Sequence, residues 1–86
     1  MMLMIDGSCI KCKEDFYQII KKELNAPAYF GNNLDALYDI LTEQPDLLQI
    51  KFIHYDRMCQ HLGNSFCQKV LKILQDADIF TVIDQH

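Results

Sequence analysis

Three short β-type runs, at residues 2–6, 47–53 and 79–83, are separated by long stretches in which apolar residues recur at helical spacing. Strands spaced this way cannot close as hairpins. They need helical crossovers, and such crossovers place strands parallel and join them right-handedly. The pattern predicts an α/β fold: a small three-stranded parallel sheet packed by about four helices, in the order β-α-α-β-α-α-β. The first run is almost wholly apolar and closes on Asp6-Gly7-Ser8, a turn signal, so it is expected to be buried on both faces. In the second, Leu48, Ile50 and Phe52 alternate with Gln49 and Lys51, which predicts one covered face and one more polar face. The third, Ile79 to Ile83, is β-branched and carries an aromatic.

The helices are readable from their stripes and their ends. Phe16, Ile19, Ile20 and Leu24 mark a helix over 13–24, with Lys21 and Lys22 complementing its C-terminal dipole and Pro27 stopping it. Asn32-Asn33 offers an N-cap to a second helix whose Leu34, Leu37, Ile40 and Leu41 share one side, ending near Thr42 or Glu43. Asp56 is placed to cap a short third helix that stops at Gly63. Ser65-Phe66-Cys67-Gln68 has the form of a capping box for a fourth, with Phe66, Val70, Ile73, Leu74 and Ala77 as its apolar stripe.

Eighty-six residues with 50% apolar positions suffice for one modest core, and no Ser/Gly/Pro tract or repeat marks a linker, so residues 1–86 read as a single domain. Twelve Asp and Glu against eight Lys and Arg leave a net charge of -4, which repels nucleic-acid phosphates and argues against direct DNA or RNA binding. The apolar run at residues 1–5 has no basic segment before it and is too short for a signal-peptide core or a membrane span, so the chain reads as soluble and non-exported. Four cysteines are then expected as reduced thiols rather than a disulfide scaffold.

The second helix carries the most informative chemistry. With Leu34 at zero and about 100° per residue, Leu37, Ile40 and Leu41 centre near 290°, while Asp35, Asp39 and Glu43 fall at about 100°, 140° and 180°. The carboxylates form a stripe opposite the core. Like charges at i, i+4 and a Glu near a helix C-terminus both oppose helix formation, so folding alone would not select it. No Lys or Arg occurs between Lys22 and Lys51 to neutralise Glu23, Asp35, Asp39, Glu43 and Asp46. A solvated face of an acidic protein has this pattern too. Here, however, Tyr29, Phe30 and Tyr38 bracket the stripe, and aromatic anchors beside charges are characteristic of protein interfaces; alternatively Phe30 packs beneath the helix.

The stretch Lys22-Glu23-Leu24, followed by Pro27 through Thr42 with its Tyr29, Gly31, Asn33-Leu34-Asp35 and Asp39, resembles the signature of the barstar family of ribonuclease inhibitors. More weakly, the likeness extends over nearly the whole chain. The resemblance implies a cytoplasmic bacterial protein, without enzyme activity, that inhibits a barnase-like ribonuclease as an immunity protein. It would be a monomer when free and form a 1:1 heterodimer with its partner. It further implies partner-binding roles for Tyr29, Gly31, Asn33, Leu34, Asp35, Tyr38, Asp39, Thr42, Glu43 and Asp76. Asp39 would be the central anion among active-site Arg, Lys and His groups, Asp35 a second acceptor and Tyr29 an aromatic contact. The sequence departs from the family pattern at Tyr38, where Trp is common, at Asp76, where Glu is common, and at Glu43-Gln44, where a Gly-aromatic pair is usual. These changes fit a nuclease of altered surface, including one delivered as an antibacterial toxin, as well as a secreted one.

The same chain offers residues for other chemistries. Cys9-Ile10-Lys11-Cys12 lies between a strand and a helix, where glutaredoxin- and thioredoxin-like proteins place a redox pair. Those folds also set a proline before a later strand, and neither Pro27 nor Pro45 has that context. Zinc ligation by the cysteines with His54, His61 and His86 is disfavoured by spacing, and no metal or cofactor is expected. Asp35 and Asp39 on a convex helix lack the cleft a paired-carboxylate hydrolase needs.

Overall fold

The computed structural model describes residues 2–27, 30–44 and 48–84. Three parallel strands, β1 (Met2–Asp6), β2 (Gln49–Ile53) and β3 (Phe80–Asp84), form a sheet in the order β1-β2-β3. Four helices fill the crossovers: α1 (Lys13–Glu23), α2 (Leu34–Thr42), α3 (Tyr55–Leu62) and α4 (Asn64–Asp76). The α/β architecture and element order are those the periodicity predicts. Leu47, expected at the start of the second strand, lies outside the described residues, as do Tyr29, Asp46 and His86.

Register decides which side of the sheet holds the core. Leu3 aligns with Ile50 and Thr81, and Ile5 with Phe52 and Ile83. Successive side chains on a strand point to opposite faces, so these residues share one face. On it Leu3, Ile5, Ile50 and Phe52 are buried beneath Phe16, Ile20, Leu37, Leu41, Met58, Val70 and Leu74 from the helices. The other face carries Met2, Met4, Gln49, Phe80 and Val82, all exposed, so the expectation that β1 is buried on both sides is corrected. The cause is the side chain chosen: methionine extends an apolar run in sequence while standing in solvent, Met2 at 57% and Met4 at 54% exposure.

Helix ends depart from the sequence reading at α3 and α4. His54, in the left-handed conformation (φ 52°), precedes α3, and Asp56 sits inside its first turn rather than capping it. Gly63 alone separates α3 from α4 at φ 91°, a region that favours glycine. Because α4 starts at Asn64 with no side-chain cap, the Ser65 capping box is not formed. His61 lies within α3 with Nδ1 3.2 Å from the carbonyl oxygen of Ile10.

His54 meets Asp6 where β1 and β2 end. Asp6 Oδ1 accepts from the Ser8 amide (2.9 Å) and the Ser8 hydroxyl (2.7 Å), and His54 Nδ1 lies 3.0 Å away. Gly7 belongs to the 3-10 turn that follows, and a Cβ there would collide with the His54 carbonyl oxygen, which only glycine avoids. The Ser8 hydroxyl, then the His54 ring, hold the Asp6 carboxyl down to about 2 from the ordinary 3.8. A carboxyl depressed on folding contributes stability that is complete above its unfolded pKa and is lost as pH falls through the folded one. Unfolding free energy should therefore decline between about pH 4 and pH 2, and Asp6→Asn should flatten that part of the curve in urea titrations at stepped pH.

Candidate protein-binding face

Helix α2 is fixed at its start by its own sequence. Asn33 is extended (φ -149°) and its Oδ1 accepts from the Ala36 amide at 2.8 Å, the capping bond expected of an Asn at this position. Gly31 lies close beneath. A Cβ there would come within 2.8 Å of Asn33 Nδ2, so a side chain would push on the cap. Asn33→Ala should cost about 1 kcal/mol of stability, read from the urea midpoint.

Leu37, Ile40 and Leu41 are buried and set the rotation of the helix. Asp35, Tyr38, Asp39, Thr42 and Glu43 consequently face solvent, with Tyr38 at 40% exposure. Leu34 is half-buried against the core, and Phe30 likewise packs against it, as the plainer reading of that aromatic expects. At the far end the Thr42 hydroxyl donates to the Asp39 carbonyl (2.9 Å) and Gln44 Nε2 to the Ile40 carbonyl (3.0 Å), closing the last turn in the absence of a basic residue.

Among the described residues no ion pair reaches this face. The ion pairs among the described residues are Lys51 with Asp84, between β2 and β3, and His54 with Asp6, at the end of β1. Asp35, Asp39 and Glu43 take part in neither, so their charge is available to an incoming cation.

Three hollows border this helix. One of about 240 Å³ brings Asp39 and Glu43 together with Pro27, Phe30, Gly31 and Ile40. A second, about 460 Å³, joins Thr42 and Gln44 to Asp76 and Asp78 at the end of α4. Asp76, distant in sequence, is thus adjacent to the α2 face. Asp78 has no place in the sequence reading; its φ of 60° continues the turn past α4, and the Asp-Ala-Asp spacing is the signal that could have marked it. A third, about 620 Å³, is lined by Asp35 and Leu34 together with Lys13, Phe66 and Lys69 among others, so two lysines share this hollow with Asp35 without an ion pair forming. Lys13 is exposed, with its Nζ 5.1 Å over the Phe66 ring in a cation–π contact.

Cys9 and Cys12 are exposed free thiols, Cys9 ending the 3-10 turn and Cys12 preceding α1 without a side-chain cap. No group of three or more His, Cys, Asp or Glu side chains converges as a metal ion would need among the described residues. Nor is any helix among them long and apolar enough to cross a membrane.

Fold and face together define a small parallel α/β protein that displays an acidic helix, without ion pairs among the described residues, beside shallow hollows. The family described as Barstar (barnase inhibitor) matches residues 1–83, and the chain belongs to that family. A relative from Bacillus subtilis (strain 168), named "Putative ribonuclease inhibitor YrdF", is 36% identical over 76 residues, covering 87% of this chain and 82% of its own length.

Proposed function

We propose that this protein is an immunity protein that inhibits a barnase-like ribonuclease in the bacterial cytoplasm. The chain acts as a single unit, forms a 1:1 complex and performs no catalysis of its own. The acidic face of α2 enters the cationic groove in which the nuclease holds RNA. Asp39 is the central anion, Asp35 and Glu43 flank it, and Asp76 with Thr42 engages a second group. Asn33, Gly31 and Leu34 shape the leading edge and Tyr38 packs across it; Tyr29 contributes from the segment before it.

The observation that carries the reading is the exposure of Asp35, Asp39 and Glu43 without a cationic partner among the described residues, on a helix locked by a buried opposite side. An RNA-binding site must be cationic to hold phosphates. Rigid carboxylates at fixed spacing complement such a site without reorganising, and two unit charges 4 Å apart attract by about 4 kcal/mol at an effective dielectric of 20. The hollow beside Asp39 and Glu43 has room for a guanidinium or ammonium group. Family membership and the named relative support the same partner class.

Long-range attraction of this kind raises the encounter rate and is screened by salt. Stopped-flow association with a barnase-type ribonuclease should slow by about tenfold or more between low and high ionic strength. A rate constant indifferent to salt would contradict an electrostatic docking face.

A further inference from the structure

The corner between α3 and α4 places two thiols symmetrically about one glycine. Cys59 lies four residues before Gly63 and Cys67 four after. The Gly63 amide donates to the Cys59 carbonyl at 2.8 Å, and the Cys67 amide donates to the Gly63 carbonyl at 3.2 Å, so a single residue ties both cysteine backbones together. The Cys59 thiol helps to raise the pKa of Cys67, which puts the two side chains within reach of one another. Tyr55, one helical turn before Cys59, donates its hydroxyl to the Cys67 carbonyl at 3.4 Å and stacks edge-on against Phe52 at 5.3 Å, bracing the corner from the core side.

Access to the two sulfurs differs. Cys67 is 1% exposed, whereas Cys59 is half-buried and lines an open hollow of about 610 Å³ with Tyr55, Asp56, Gln60, Gly63 and Asn64. One thiol can meet a reagent and the other waits behind it.

We propose that Cys59 and Cys67 form an oxidation site, which a small-molecule disulfide converts to an intramolecular disulfide across the α3–α4 corner. In the first step the Cys59 thiolate attacks one sulfur of the reagent, forming a mixed disulfide and releasing one thiol. In the second, the Cys67 sulfur attacks Cys59 Sγ, breaks the mixed disulfide and releases the second thiol with the Cys67 proton. The cysteine pair loses two electrons and two protons; the small disulfide gains both. Burial, and then the neighbouring Cys59 thiol, push the Cys67 thiol up to about 12, and with its sulfur also shielded from reagent Cys67 reacts second.

The test uses the full chain carrying Cys9→Ser and Cys12→Ser, folded and at low concentration, with oxidised glutathione as reagent. After the reaction is quenched and the protein unfolded, titratable thiols should fall from two to none, and the monomer should lose the mass of two hydrogens. Trypsin cuts after Arg57 and Lys69, so both cysteines leave in one peptide, residues 58–69, whose mass reports the bond directly. The wild-type chain gives the same peptide and serves should the double variant fold poorly. Dithiothreitol should restore both thiols. Glutathione retained on Cys59 without loss to the disulfide, intermolecular dimers, or two unreacted thiols would each overturn the proposal.

Discussion

Asp39→Ala should weaken binding to a barnase-type ribonuclease more than any other single substitution on α2, by about 2–5 kcal/mol, or roughly 30-fold to several thousand-fold in affinity. Barnase and barstar are themselves a type case for that range, so its size is a property of the class; what this chain supplies is the ordering of its positions. Asp39 lies in the middle of the exposed stripe, between Asp35 one turn before it and Glu43 one turn after it, and it borders the hollow closed by Phe30, Gly31 and Glu43. A carboxylate at the centre of an interface is the one fully desolvated on docking, and removing it leaves the partner's cations buried without a counter-charge. Glu43 at the edge stays wetter, so Glu43→Ala should cost less, within the range of rim charges, about 1 kcal/mol or below. Asp56→Asn in α3 is the control for net charge alone. It removes an exposed acid remote in sequence from α2 and should leave the dissociation rate unchanged. Calorimetry or surface-immobilised kinetics on the three variants checks the order. Equal losses for Asp39 and Asp56 would mean that bulk charge, not the geometry of α2, drives association.

Phe52→Ala should be the most damaging substitution to the fold, at about 3–5 kcal/mol. Phe52 is 0% exposed on the central strand, with Ile5 and Ile83 beside it in register, and its ring meets Tyr55 edge-on. Truncation leaves a void bounded by strands on both sides and by helices above, a site with little freedom to collapse. Domains of this size are stable by only about 5–15 kcal/mol, so the loss is a large part of the total. Urea unfolding should show a lower midpoint with an unchanged slope. Below its own melting range the variant should keep its affinity for the nuclease, since Phe52 contributes no surface to α2; this separates loss of fold from loss of face.

How legible the molecule is in its sequence depends on how local each determinant is. Helix α2 is read almost completely, because the Asn33 cap, the buried Leu37-Ile40-Leu41 side and the acidic stripe all follow from spacing within one short segment. Parallel pairing is legible because helical crossovers between successive strands leave few alternatives, whereas the order β1-β2-β3 within the sheet is not read from spacing. The open face of the sheet is not, since Met2 and Met4 look the same in sequence whether buried or solvated, and only the presence or absence of a covering layer decides. The Asp6–His54 contact spans 48 positions and depends on β1 and β2 ending side by side, which no local pattern encodes. Asp76 is tied to the α2 face by the resemblance to a family; its neighbour Asp78 has only the Asp-Ala-Asp spacing to mark it, and its place beside Thr42 depends on where α4 ends. The α3–α4 corner shows the opposite error: a well-formed capping signature at Ser65 is overridden because Gly63 already turns the chain before it.

The most direct test is a titration of barnase-type ribonuclease activity with the purified chain, run beside an Asp35→Asn, Asp39→Asn variant that keeps the shape of α2 and removes its central charges. The account predicts that activity falls linearly to zero at one equivalent of the wild-type chain and stays near its starting value with the variant at the same ratio. Full ribonuclease activity in the presence of excess wild-type chain, or equal inhibition by both proteins, would contradict it.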